Sequence, residues 1–149
     1  MPAEKTIARW CAAALLVTPD GRYVMQHRDD KPTIFLPGHW ALFGGTIDAG
    51  ETAEDAMRRE LREELEFTAN AVRPFTDMTI SLPFATPRFD RMSFFEVPIT
   101  PVEIDRLVQH EGQGKALFVA QDLARETRVA PWDLAAVLMH ARHRSLFGG

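Results

Sequence analysis

Along the first third of the chain apolar residues cluster in short runs, and after that their spacing widens to the period of a helix. Residues 9–17 and 22–28 are two apolar segments joined by the turn sequence Pro19-Asp20-Gly21, which predicts an opening β-hairpin. Residues 27–39 hold two prolines and the charged run Arg28, Asp29, Asp30 and Lys31, which predicts an exposed loop. A short strand over 40–44 follows, and then a helix from Thr52, a good N-cap with Asp55 three residues on, to about Leu65. Strands are predicted over 72–82 and 91–99, separated by a loop with Pro83 and Pro87. A short helix over 103–110, a strand over 116–120 and a helical turn over 121–125 come next. Pro131 suits the first position of a last helix reaching about Arg144, in which Leu134, Val137, Leu138 and Ala141 have core-facing spacing. This order predicts an α/β (α+β) fold with a mixed sheet between helices.

The helix over 52–65 breaks its own pattern. Projected at about 100° per residue, Ala53, Met57 and Leu61 form one apolar stripe with Leu65 at its edge. Glu64 falls inside that stripe, Glu60 close beside it and Glu63 just outside. A carboxylate on the buried side of a helix costs several kcal/mol unless it is paired or bound to a cation, and no Lys or Arg shares the stripe. A hard divalent ion is the economical partner. Glu60 and Glu64 are neighbours at i, i+4, and Glu63 at i+3 from Glu60 widens the set. The alternative, a solvated charged face, does not explain Glu64.

Charge supports a local site. Residues 51–66 hold seven acids against three bases, a surplus equal to the net charge of −4 for the whole chain. The rest of the chain is balanced, so the acidity is concentrated in one helix.

At 149 residues, 46% hydrophobic and 26% charged, the chain has the size and composition of a single domain over 1–149. No apolar run approaches the length that crosses a membrane, and MPAEKTIARW lacks an apolar signal core, so a cytoplasmic location and no membrane partner are expected. Cys11, the sole cysteine, reads as a small buried hydrophobe. No basic patch points to long nucleic acid as a partner. Oligomeric state is not legible, and a homodimer is compatible with the sequence.

Gly45, then Glu51 after five residues, then Arg59-Glu60-Leu61-Arg62-Glu63-Glu64 after seven more, resembles the Nudix box. That box is the loop-helix-loop signature of hydrolases that cleave nucleoside diphosphates linked to another group X. One position departs from it, since Glu66 stands where the family usually has the glycine of a left-handed helix cap. The helix exit is therefore expected to move towards Asn70. The resemblance implies an α/β/α sandwich and Mg²⁺-dependent hydrolysis of a nucleotide-type small molecule, with Mn²⁺ able to substitute. It also implies Glu60, Glu63 and Glu64 as metal ligands, joined by the backbone carbonyl of Gly44. Arg59 would pair with Glu51 to hold loop and helix in register, and with Glu63 these two complete the catalytic set within the box. The alternative is a nucleotide-sensing module that keeps the fold without the reaction, although such a protein would be expected to lose box glutamates or Arg59.

A further carboxylate is usually recruited from outside the box. Glu111, in the glycine-rich run His110-Glu111-Gly112-Gln113-Gly114 before a strand, is expected to be the general base or a further metal ligand. Glu96 is its rival, because strand alternation could aim it at the same cleft. Among substrate contacts, Phe35, Phe84 and Phe89 are read as loop aromatics able to stack on a base. Arg28, Arg88 and Arg91 are read as phosphate clamps. Trp10, Trp40 and Trp132 are read as packing residues.

Overall fold

The structure, a computed structural model, describes residues 6–148. Seven strands and four helices follow one another as β1 (Ile7–Val17), β2 (Arg22–His27), β3 (Trp40–Ala41), β4 (Phe43–Thr46), α1 (Ala53–Leu65), β5 (Arg73–Leu82), β6 (Arg88–Pro98), α2 (Pro101–Asp105), β7 (Gly114–Val119), α3 (Ala120–Leu123) and α4 (Pro131–Phe147). The expected mixed sheet between helices is present. β1 runs parallel to β6, and every other strand pair is antiparallel.

β1 is buried on both faces from Cys11 to Val17, which explains the continuous apolar run there. Ala12, Ala14 and Leu16 pack with Met57, Leu61 and Leu65 of α1. On the opposite face, Ala13, Leu15 and Val17 pack with Ala136 and Val137 of α4. No helix among the described residues is long and apolar enough to cross a membrane.

Several expectations need correction. The predicted strand over 40–44 is two strands. β1 and β2 pair at Val17 and Tyr23, while β1 takes β4 and β2 takes β3 as partner further along. Leu42 marks the crossing between the two ladders, and its amide N–H donates to Asp133 Oδ2 at 3.0 Å instead. β6 begins three residues early, at Arg88, so Phe89 lies in a strand rather than a loop. The helix predicted over 103–110 is α2, opened by Pro101 behind a Thr100–Glu103 capping box. It stops at Asp105 because the following segment hydrogen-bonds to the end of α1, Val108 N–H to Leu65 O at 3.1 Å and His110 N–H to Glu64 O at 2.8 Å.

Leu138 is 41% exposed, not core-facing. The buried stripe of α4 is Asp133, Ala136, Val137 and His140, so two polar residues occupy core positions. His140 is kept there by partners on both ring nitrogens, the Tyr23 hydroxyl at 2.7 Å and a Glu96 oxygen at 2.6 Å. The carboxylate needs a donor, so Nε2 carries the proton and Nδ1 accepts from Tyr23.

The exit of α1 does not move to Asn70. Glu66 itself takes the left-handed conformation at φ 52°, with its N–H on Arg62 O at 3.0 Å. That conformation costs a residue with a Cβ up to about 1 kcal/mol relative to glycine.

Candidate functional site

α1 starts where Thr52 Oγ1 accepts from the Asp55 N–H at 3.1 Å. The loop before it is held by Arg59, in the second turn of the helix. Its guanidinium grips Glu51 with two bonds of 2.8 and 2.9 Å, reaches Thr46 O at 3.0 Å, and contacts Glu60 at 3.0 Å and Glu63 at 3.2 Å. The expected Arg59–Glu51 pairing is therefore formed. Hydrogen bonds from Arg59, then the Asp48 backbone N–H, hold the Glu51 carboxyl down at about 2.

Gly44 and Gly45 bring β4 unusually close to both neighbours. A Cβ on Gly44 would lie 2.0 Å from Ala12 O, and one on Gly45 would lie 2.5 Å from Glu60 Oε1. Gly44 needs glycine because the β1 backbone already fills the space, whereas a side chain at Gly45 would displace the Glu60 carboxylate from β4. Glu60 is thus pressed against β4, while Glu63 stays largely exposed.

Glu64 is only 4% exposed, and neither of its carboxylate oxygens has a hydrogen-bond partner. Burial pushes its pKa up strongly, and the nearby carboxyls of Glu60 and Glu111 push it further. Glu111 is brought there by its loop. On one side Val108 and His110 are bonded to the end of α1; on the other Gln113 N–H donates to His27 O at 2.8 Å. Gly112, at φ 88°, passes so close to His27 O that a Cβ would sit 2.8 Å from it. Glu96 is not a rival for this place. Its neighbour Phe94, two residues back, packs in the core on the α4 face, and Glu96 itself is bound by His140 and by Arg73 at 2.9 Å.

Among the described residues no group of three His, Cys, Asp or Glu side chains is already drawn together as a metal centre. The donor chemistry nevertheless fits a hard cation. A buried carboxylate with no donor, flanked by two more acids, lacks only positive charge.

A cleft of about 160 Å³ lies on the α4 side of the sheet, lined by Gly44 and Gly45 and by Arg28, Phe35, Arg88, Asp90, Trp132 and Asp133 among others. Phe35 and Trp132 present parallel rings, 5.9 Å apart and 5° from coplanar directions. Phe84 packs edge-on against Phe35 at 5.9 Å, and Arg88 lies over Phe84 at 5.1 Å. Arg28 fixes the Phe35 carbonyl through its Nε at 3.1 Å. Phe84, Phe89 and Arg91 do not line the cleft, although Phe84 packs against Phe35, which does. Arg91 is paired with Asp77 at 2.6 Å and lies over Trp10.

Buried polar side-chain atoms without a hydrogen-bond partner among the described residues are five: both Glu64 oxygens, Arg88 Nε, Asp90 Oδ1 and Asp133 Oδ1. Such an atom left without any partner costs about 1–3 kcal/mol, so each is a place where a water, an ion or a ligand is accommodated. They fall in two places, beside the acids of α1 and in the cleft, and Gly45 touches both. Asp133 and Asp90 have no counterpart in the sequence reading. The one available signal was an acid in the first turn of an apolar helix. Burial pushes the Asp133 carboxyl up to about 7, against the pull of the Leu42 N–H and of Arg28.

Comparison with known proteins agrees with this fold. The solution structure of the Escherichia coli ORF135 protein superposes with a TM-score of 0.74 at 21% identity, covering 93% of this chain and 92% of that one. A mutT/nudix family protein from Listeria innocua gives 0.74 at 21% identity, covering 95% and 98%. The nucleoside triphosphatase NudI of Escherichia fergusonii is 50% identical over 50 residues, which is 34% of this chain and about a third, 35%, of that protein's length. The NUDIX domain model matches residues 8–146, from β1 to the end of α4, and the chain therefore belongs to the NUDIX domain family.

Proposed function

We propose that this chain is a divalent-metal-dependent hydrolase that cleaves a phosphoanhydride bond of a nucleotide, with a nucleoside triphosphate as the favoured substrate class. The observation that carries the reading is the placement of the five unpartnered buried atoms, one group suited to a cation and the other to a nucleoside, with Gly44 and Gly45 between them.

In this reading Glu60, Glu63 and Glu64 hold Mg²⁺, with the Gly44 carbonyl as a further donor. The ion, when bound, neutralises the charge of the diphosphate that would repel a nucleophile. Arg59 and Glu51 keep the ligand helix and its preceding loop rigid. Glu111 takes a proton from the attacking water. The water oxygen bonds to phosphorus as the anhydride P–O bond breaks, and the leaving phosphate carries away the bond's electron pair. Phe35 and Trp132 offer a stacking surface for a flat base, and Asp133 and Asp90 offer acceptors to its polar edge. The likeness to a nucleoside triphosphatase favours a triphosphate over a nucleotide sugar or a dinucleotide, which are the other X-linked diphosphates.

The test is a phosphate- and pyrophosphate-release screen over a nucleotide panel in Mg²⁺ and in Mn²⁺. Release from at least one triphosphate, abolished by chelator and by Glu64→Gln, is expected. Tight nucleotide binding with no release of any kind would instead favour the sensing module.

A further inference from the structure

Glu66 leaves α1 in a conformation that glycine would adopt more easily, at φ 52°. Its backbone bonds at this exit are ones glycine makes equally well. Its side chain does what glycine cannot: Oε2 meets His110 Nε2 at 2.6 Å, across 44 residues of sequence. His110 immediately precedes Glu111, an exposed residue on a loop. The same loop is already bonded through its backbone to the carbonyls of Glu64 and Leu65, in the last turn of α1. Its far end is held by Gln109, whose side-chain amide donates to the carbonyls of Glu111 and Gly114 at 2.8 Å each.

We propose that Glu66 is a positioning residue, a latch that holds His110 so that the Glu111 carboxylate stays beside Glu64. The strained exit and the 2.6 Å pair are then one device. The position where this chain gives up a relaxed helix cap is the position that gains a handle on the loop. Displacement of a reacting group by a single ångström can slow an enzyme about a hundredfold, so a weak tether on an exposed loop matters to rate more than to stability. Both partners are more than half exposed, so the pair adds little to the folded state. The inference rests on the role of Glu111 proposed above.

The test compares Glu66→Gly, Glu66→Gln, His110→Ala and the double variant Glu66→Gly with His110→Ala, all in the full chain, with Glu111→Gln as reference. Glu66→Gly is expected to melt no lower than the parent, because the backbone relaxes, yet to lower kcat by roughly two- to fivefold, the ceiling set by an exposed ion pair. KM should hardly change. His110→Ala should match it, the double variant should be no slower than either single one, and Glu66→Gln, which keeps an acceptor for His110, should recover most of the rate. In the metal-free protein, amide hydrogen exchange over residues 109–112 should quicken in Glu66→Gly and His110→Ala alike. Parental rates and exchange in both variants, beside a crippled Glu111→Gln, would overturn the latch alone, as would rate losses that simply add. A fully active Glu111→Gln would overturn the role of Glu111 and the latch with it. Should no substrate be turned over, unchanged exchange at 109–112 overturns the latch.

Discussion

Arg59 holds Glu51 through two N–H···O bonds at once, Nε to Oε2 at 2.8 Å and Nη2 to Oε1 at 2.9 Å. The pair crosses from the body of α1 to the loop that leads into it, and the same guanidinium reaches the Thr46 carbonyl at the end of β4. Strand, loop and helix thus share one side chain whose planar fork fixes their relative geometry.

Lysine cannot reproduce that fork, so Arg59→Lys is expected to cut turnover by about tenfold to a hundredfold while leaving the protein folded, because α1 shifts against β4. The pair also sets an acid limb of stability. Glu51 falls from an ordinary 4.5 to about 2 in the folded state, so its contribution is complete above about 4.5 and is lost as pH falls from there towards 2. Melting of the parent and of Arg59→Lys across that window should show a shallower acid limb in the variant. Parallel curves would mean that other carboxylates dominate the limb.

Glu111 and Glu96 separate cleanly by what each touches. Glu111→Gln is expected to slow hydrolysis by about a hundredfold to ten-thousandfold with little change in melting, as for loss of a general base. Glu96→Gln should do the reverse. It weakens the bond to His140, on the buried face of α4, and should cost about 1 kcal/mol of stability while sparing turnover. Steady-state kinetics and thermal melts on the two variants check both halves, and a slow, stable Glu96→Gln would return the catalytic role to Glu96.

What the sequence made legible is what depends on local spacing. The helix α1, its Thr52 cap and the anomaly of Glu64 follow from one helical period, while the Arg59–Glu51 pair follows from the resemblance of the motif to the Nudix box. What it hid depends on long-range packing. Apolar spacing put Leu138 in the core of α4 because a reader assigns polar residues outward. The actual stripe is turned so that Asp133 and His140 face in, each supplied with a partner from a distant strand segment, Leu42 or Tyr23. Glu96 could be placed in a strand, but which face it used depended on where His140 would be. The split of the strand over 40–44 follows from β1 and β2 exchanging partners, which no local pattern announces.

Asp133 is expected to read the base rather than to do chemistry. Asp133→Asn keeps an oxygen for the Leu42 N–H but changes the edge offered to the cleft. It should lower kcat/KM for the preferred triphosphate by roughly tenfold to a hundredfold and leave a base-free ribose triphosphate unaffected. The variant should also flatten one limb of the pH–stability curve. The folded carboxyl is raised from 3.8 to about 7, so the stability it lends is full below about 4 and declines as pH climbs towards 7. An equal loss on both substrates would place Asp133 in the architecture of the cleft and not in recognition.

Glu64 should be a residue that the fold tolerates badly and the reaction cannot spare. Its carboxylate is buried without a donor and is crowded by the acids Glu60 and Glu111. A folded-state pKa raised in this way means that metal-free stability declines as pH rises above the ordinary carboxylate value of 4.5. Glu64→Gln removes the ionisable group and with it that decline, so the metal-free variant should melt higher than the parent at pH 7. The same change deletes a ligand for the cation. Mg²⁺ at a hundred times its dissociation constant should stabilise the parent by about 2.7 kcal/mol through mass action, and the variant by much less. Hydrolysis should fall by orders of magnitude. Stability and activity then move in opposite directions, as they do where a site is built at the expense of the fold. A surface acid would leave both unchanged, and a structural ion-pair partner would lose stability on substitution. Melting with and without Mg²⁺, set beside turnover, distinguishes the three, and a Glu64→Gln protein that is less stable yet fully active would defeat the metal-site reading.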